Sequence, residues 1–173
     1  MKHVYLLTGP PRVGKTTLIK QVVGEFRGTA GGFYTEEIRE HGDRVGFRLV
    51  TLEGRDVALS HVDFKSAFRV GKYGVDVESL ERVGVTALLD AARDSDLVVV
   101  DEIGKMEMMS LKFCDAITSL IASQRIVLGT ILLHHHNWSD IVKVKPEVQV
   151  VMLNRNNYQQ ILDEVRNWLK ETV

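Results

Sequence analysis

Only one of the 173 residues is a cysteine, Cys114. That excludes a disulfide framework and makes a reducing compartment the expectation. Proline is scarce too, with three in all and two of them adjacent at Pro10-Pro11. No Pro/Gly/Ser-rich linker, internal repeat or low-complexity segment divides the chain, which predicts a single domain over residues 1–173. Neither sign of charge dominates. The 22 basic and 23 acidic residues leave a net charge of −1, so nucleic acid and anionic membranes are not expected as partners. No apolar run approaches the roughly 20 residues that span a bilayer. The opening MKHVYLLTGPP lacks the apolar core of a secretion signal. These absences predict a soluble, cytoplasmic domain.

What is present is an alternation of apolar patterns. VYLLT (Val4–Thr8) is a short apolar run bounded by Gly9 and Pro10, and reads as a buried strand. Leu18, Ile19, Val22, Val23 and Phe26 then trace one face of a helix that starts near Lys15, with Gly28 as its expected C-cap. Gly32–Arg39 and Val45–Leu52 flank the turn residues His41-Gly42-Asp43. With Val57–Ser60 beyond a second turn, they predict an inserted antiparallel β-hairpin over residues 33–60. A short helix is expected over Thr86–Arg93 and a buried strand over Leu97–Val100. Leu111, Ile117, Leu120 and Ile121 mark another helix, with Cys114 in its apolar pattern. Ile126–Ile131 and Val148–Leu153 are further strands, and Ile161, Leu162, Val165, Trp168 and Leu169 a final helix face. The fold class is therefore α/β: a mostly parallel sheet covered on both faces in three layers.

GPPRVGKTT, Gly9–Thr17, carries the chemistry. Gly9, Gly14, Lys15 and Thr16 fill every fixed position of the G-x-x-x-x-G-K-[ST] template, between a strand and a helix as that loop requires. The two glycines permit the tight turn, and successive N–H groups at the helix start face phosphate oxygens. Lys15 supplies a point charge for the β- and γ-phosphates, and the Thr16 hydroxyl is a Mg²⁺ ligand candidate. Arg12 occupies a variable slot of the loop. If that slot needs a positive φ, a side chain there costs about 1–2 kcal/mol.

LVVVDEIGK, Leu97–Lys105, is the metal-side partner. Asp101 ends a buried strand and is placed to reach Mg²⁺. Glu102 follows as a second acid able to orient and deprotonate an attacking water, which favours hydrolysis over transfer. Lys105 either faces the phosphates or is solvated. Thr130, at the end of a strand, either senses the γ-phosphate or the attacking water, or satisfies backbone groups. Arg155 is a candidate for stacking on a base, while Asn156 and Asn157 suit a helix N-cap. Three adjacent histidines, His134–His136, lack the spacing of a zinc site and read as a loop.

With both motifs in place, the chain resembles the thermophilic-type P-loop nucleoside-triphosphatases, a family that includes the human cancer-related nucleoside-triphosphatase. The segments that carry the resemblance are TGPPRVGKTTL, GGFYTEEIR, the Gly46–Leu52 strand, RVGKYGVD, VVVDEIGKME and VLGTI, spread in order over about three quarters of the chain. It implies a P-loop fold and Mg²⁺-dependent hydrolysis of nucleoside triphosphates (ATP, GTP, CTP, UTP) with slow turnover and loose base preference. The family's nucleotide-contacting segments fall here on Thr8, Gly9, Pro10, Pro11, Arg12, Val13, Gly14 and Lys15, with Thr16 and Thr17 beside them. The second segment falls on Val98, Val99, Val100, Asp101, Glu102, Ile103, Gly104 and Lys105. Glu102 would be the general base and Lys15 the other catalytic group; Thr16 and Asp101 would hold the metal. Members usually have Gly where Arg12 stands. Glu36, Glu37 and Arg39 in GFYTEEIR read equally as exposed hairpin charges or as lid or γ-phosphate groups. The competing expectations are a nucleotide or small-molecule kinase, against which no compact arginine run is seen, and a nucleotide-binding switch with little turnover.

Overall fold

The computed structural model describes all 173 residues. Its elements run β1 (Val4–Thr8), α1 (Lys15–Glu25), β2 (Ala30–Glu40), β3 (Asp43–Thr51), β4 (Asp56–His61), β5 (Arg69–Val70), β6 (Tyr73–Val75), α2 (Val77–Ser79) and α3 (Thr86–Asp94). They continue with β7 (Leu97–Ile103), α4 (Leu111–Ala122), β8 (Val127–Ile131), α5 (Asn137–Lys143), β9 (Val148–Met152) and α6 (Tyr158–Thr172). A π-helical stretch, Leu80–Val85, joins α2 to α3. All nine strands form one sheet, in the order β5-β6-β4-β3-β2-β7-β8-β1-β9. From β2 to β9 neighbours are parallel, and from β2 to β5 they are antiparallel.

The residue alternation in the parallel strands explains the layers. In β1, Val4 and Leu6 enter one core while Tyr5 and Leu7 enter another. In β7, Val98 and Val100 join the first core, Leu97 and Val99 the second. Successive strand side chains point to opposite faces, so a strand apolar throughout must be covered on both. Helices α3 and α4 cover one face through Leu88, Ala91, Phe113, Ile117 and Leu120. Helices α1 and α6 cover the other through Leu18, Ile19, Val22, Ile161, Val165 and Trp168. Cys114 lies in the first core, as its pattern suggested. No helix is long and apolar enough to cross a membrane.

Strand β2 serves both halves of the sheet. Ala30–Phe33 pair in parallel with Leu97–Val100, and from Phe33 onward the same strand pairs antiparallel with β3. Gly32 makes the change of partner possible. Its φ is +112°, and a Cβ there would lie 1.9 Å from the Val99 carbonyl oxygen. This close approach is why the segment begins Gly31-Gly32.

The antiparallel part is larger than a hairpin over residues 33–60. β6 adds to β4, and β5 to β6, giving a five-stranded wing. Those strands are two and three residues long, too short to show an alternating pattern. The helical run expected from Thr86 begins earlier, at Val77, where the Asp76 carboxylate caps it by accepting the Ser79 N–H at 2.9 Å. The π stretch shifts the apolar positions out of 3.6-residue period, which hid this start. The histidine segment read as a loop leads into α5, where the His136 ring accepts the Trp138 N–H at 3.2 Å. Gly28 is not a C-cap: α1 ends at Glu25, with Phe26 extended behind it.

Gly32→Ala is expected to lower the unfolding free energy by about 3 kcal/mol or more, combining left-handed strain with a backbone collision. Gly42→Ala, also at positive φ but with nothing within 4 Å of the added carbon, should cost only the strain, about 1–2 kcal/mol. Urea denaturation of both variants checks the difference.

Candidate active site

The site forms where the parallel strands end. The hydroxyl of Thr8, the last residue of β1, donates to the Ile131 carbonyl at 2.9 Å and ties that strand to the end of β8. Gly9 follows, and a Cβ there would lie 2.5 Å from the Leu153 carbonyl oxygen, so only glycine lets the loop leave the sheet between β1 and β9. The loop closes into α1 with the Leu18 N–H on the Gly14 carbonyl at 2.9 Å. No side chain caps this helix start and no acid lies in its first turn. The first N–H groups of a helix have no acceptor within it and carry the positive end of its dipole. Left uncapped at a cleft, they form a cradle for an anion.

Lys15 bends back over the loop. Its ammonium donates to the carbonyls of Gly9 at 2.8 Å and Pro10 at 2.9 Å. Burial lowers the Lys15 pKa, and the nearby Glu102 and Asp101 carboxylates oppose that shift. Arg12 has a φ of 63°, so its slot does demand left-handed backbone. The residue is exposed at the mouth of the cleft.

Asp101 is 2% exposed, and both of its oxygens are engaged. Thr16 Oγ1 donates to Oδ2 at 2.7 Å, and Thr130 Oγ1 to Oδ1 at 2.7 Å. Burial pushes this carboxyl up from its ordinary range, and the two hydroxyls and Lys15 pull it down. The register of β7 against β8 shifts between Val100 and Ile103. Such an irregularity re-aims side chains at the rim of a sheet, and Asp101 and Glu102 both stand in it. Glu102 faces the same cleft, raised by burial and by the Asp101 charge. Glu107 is a third acid, 4% exposed, whose Oε2 accepts the Gly104 N–H at 3.1 Å. Burial first and Glu102 second push it well above the usual carboxylate range.

A hard dication fits this donor set. Thr16 and Asp101 offer oxygen ligands that already touch, and Mg²⁺ takes one or two protein oxygens while keeping phosphates and waters as its other ligands. No group of three or more His, Cys, Asp or Glu side chains is arranged to hold a metal ion by itself, and Mg²⁺ does not require one.

A cleft of about 740 Å³ joins these groups. Of the residues singled out from sequence, Gly9, Pro11, Arg12, Gly14, Lys15, Thr16, Thr17, Asp101, Glu102 and Lys105 line it. Thr8, Pro10, Val13, Val98, Val99, Val100, Ile103 and Gly104 do not. Val98–Val100 are fully buried in the cores, so the expected contact segment narrows to its C-terminal end. The Thr130 hydroxyl donates to Asp101 rather than to a backbone group. Asn157 precedes α6 without capping it; its carboxamide accepts the Asn154 N–H and donates to the Met152 carbonyl, each at 2.8 Å.

The far wall of the cleft was not legible. It comes from the wing: Arg44, Phe47, Leu59, Val70 and Tyr73. Arg44 Nε donates to the Tyr73 hydroxyl at 2.9 Å, its guanidinium lies over the Phe47 and Tyr73 rings, and it pairs with Glu37 at 3.3 Å. Glu36 and Glu37 also reach the cleft, and both are held in ion pairs, Glu36 with Lys20 and Arg48, Glu37 with Arg39 and Arg44. The resemblance segments Gly46–Leu52, which holds Phe47, and RVGKYGVD, which holds Val70 and Tyr73, fall on this wall.

The chain is similar to known proteins over nearly its whole length. The model of a family described as NTPase matches residues 4–166. The chain is 42% identical over 165 residues to a protein of Thermotoga maritima named nucleoside-triphosphatase THEP1, covering 95% of this chain and 94% of that one. It is 37% identical to the protein of that name from Methanocaldococcus jannaschii, covering 93% and 94%. The crystal structure of THEP1 from Aquifex aeolicus superposes with a TM-score of 0.87 at 34% identity, over 96% of this chain and 99% of that one. The solution structure of a human cancer-related nucleoside triphosphatase gives 0.82 at 33% identity over the whole of both chains.

Two stability measurements follow from the site. Arg12→Gly relieves about 1–2 kcal/mol of left-handed strain and gives back about 0.4–1 kcal/mol in unfolded-chain freedom, so a net gain of roughly 0.5–1 kcal/mol is expected. Burial and Glu102 push the Glu107 carboxyl well above its ordinary value near 4.5, so the folded protein keeps this proton to higher pH than the unfolded chain does. Its contribution is intact below that pH and is lost as pH rises toward the folded pKa. The stability of Glu107→Gln relative to the parent should therefore increase as pH rises above the ordinary carboxylate value. Urea titrations without divalent ions read both effects.

Proposed function

The chain belongs to the NTPase family, and from that premise we propose that it hydrolyses nucleoside 5′-triphosphates to the diphosphate and inorganic phosphate, with Mg²⁺ as cofactor. ATP, GTP, CTP and UTP are the proposed substrates. The observation that carries this reading is the convergence, in one cleft, of an uncapped helix start, Lys15, the Thr16–Asp101 pair and Glu102.

Each group has a distinct task. The N–H groups at the start of α1 receive phosphate oxygens, and the Lys15 ammonium neutralises the β- and γ-phosphates from a position now held by two carbonyls. Thr16 and Asp101 would hold the metal ion, which when bound neutralises charge on the β- and γ-oxygens. Thr130 keeps the Asp101 carboxylate turned toward Thr16. Glu102 orients a water and takes its proton as the water oxygen bonds to the γ-phosphorus. The bond from that phosphorus to the bridging oxygen breaks, the diphosphate leaves, and the proton passes from Glu102 to solvent. Raised by burial and by Asp101, Glu102 is a stronger base than a free carboxylate once it is ionised.

One observation favours a second reading, transfer of the γ-phosphoryl group to a small acceptor. The cleft runs past the acids to Arg44, Phe47 and Tyr73, which gives room for another molecule. Under hydrolysis, phosphate is released from triphosphate, water and Mg²⁺ alone. Under transfer, release without an added acceptor is negligible.

Glu102→Gln is expected to lower kcat for phosphate release about 100-fold or more, while the Kd of a nonhydrolysable triphosphate changes by less than about threefold. Chelation of divalent ions should abolish release in the parent protein. A Glu102→Gln variant that turns over at the parent rate would remove this residue as the base.

A further inference from the structure

Hydrolysis as described leaves Glu107 without a task, although it is the most deeply buried glutamate beside the site. It opens the 3₁₀ turn Glu107–Met109, and its Oε2 accepts the Gly104 N–H at 3.1 Å. The Gly104 carbonyl in turn accepts the Met108 N–H at 3.0 Å. The turn after β7 is thus closed through both backbone groups of Gly104. A Cβ built on Gly104 would lie 2.4 Å from Glu102 Oε1 and 2.9 Å from Glu107 Oε2. The two carboxyl groups therefore flank the same α-carbon, and the missing side chain of Gly104 is the space they share. The Glu102 carboxylate makes no hydrogen bond to protein, and its Oε1 lies beside Gly104.

We propose that Glu107 is a positioning residue that fixes the carboxylate of Glu102 for attack, acting across Gly104. The proposal rests on the reading of Glu102 as the base and adds the group that aims it. Accepting the Gly104 N–H holds the glycine, and the glycine holds the Glu102 carboxylate against the cleft. Burial and the neighbouring Glu102 favour the protonated form of Glu107, so the support adds no like charge beside the base. A small misalignment of a reacting group is costly: displacement by about 1 Å is enough to lower a rate on the order of 100-fold.

The test is steady-state phosphate release by Glu107→Leu, Glu107→Gln, Gly104→Ala, Glu102→Gln and the double variant Glu102→Gln/Glu107→Leu. Glu107→Leu should lower kcat about 10–100-fold with KM within about threefold. Glu107→Gln, which keeps an acceptor for the Gly104 N–H, should recover most of that loss. In the Glu102→Gln background, Glu107→Leu should bring no further loss, because the group it positions is already gone. Gly104→Ala keeps both acids and wedges a methyl group between them, so it should repeat the fall in kcat even if Glu107→Leu does not fold. A normal kcat in Gly104→Ala, or a loss in the double variant equal to the product of the single losses, overturns the proposal. Full activity in Glu102→Gln would instead defeat the base assignment; a slow Glu102→Gln beside a normal Glu107→Leu would defeat only the positioning role.

Discussion

The structure turns on one buried carboxylate. Asp101 is almost wholly out of water, and a carboxylate so placed is tolerated only when its oxygens are hydrogen-bonded. It has two donors, Thr16 at the start of α1 and Thr130 at the end of β8, each at 2.7 Å. Hydrogen bonds to a charged group contribute about 1.5–3 kcal/mol each, and leaving such a group unpaired costs more. Three segments far apart in sequence are therefore held to one point: the strand that carries the acids, the strand between it and β1, and the helix that follows the loop. The proposed phosphate cradle and the acid proposed to face the metal are thereby held in a fixed relation. That readiness matters because binding then need not order the groups that react.

The wing supplies what the parallel core lacks, a wall facing the loop. β2 enters the sheet beside β7, changes partner at Phe33, and runs on into antiparallel strands whose residues overlook the cleft. Gly32 is the local concession that allows this, since any side chain there meets the Val99 carbonyl. On the wing, Arg44 is clamped between two rings and an acid. The wall is thus a fixed surface of mixed aromatic and charged character, continuous by sheet hydrogen bonding with the strand that bears Asp101.

The two halves of the site differed in how readily they could be read. The strand–loop–helix turn at Gly9–Thr17 was legible because its template needs fixed residues at fixed spacing, and Asp101 because it follows an unbroken apolar run. Arg12 was legible as a question of backbone angle, and its positive φ answers that question. Thr130 was not, because its partner is 29 residues away and becomes visible only when β8 is seated between β1 and β7. Arg44 and Tyr73 also meet across 29 residues, and Tyr73 stands on a three-residue strand too short to show a period. Glu107 sits in a stretch that marks the family resemblance, yet a lone acid in sequence says nothing of its burial. The helix from Val77 was missed for a local reason, the π stretch that breaks the apolar period. Contacts set by spacing along the chain were readable, and contacts set by the order of strands were not.

The central claim is that the Thr16–Asp101 pair, Lys15 and the start of α1 together hold a triphosphate tail. The most direct measurement is a crystal structure with Mg²⁺ and a nonhydrolysable triphosphate. The account predicts that Lys15 Nζ leaves the Gly9 and Pro10 carbonyls for the β- and γ-phosphate oxygens, with the ion beside Thr16 and Asp101 and the γ-phosphate facing Glu102. A nucleotide bound away from the loop, with Lys15 still on those two carbonyls, would contradict it.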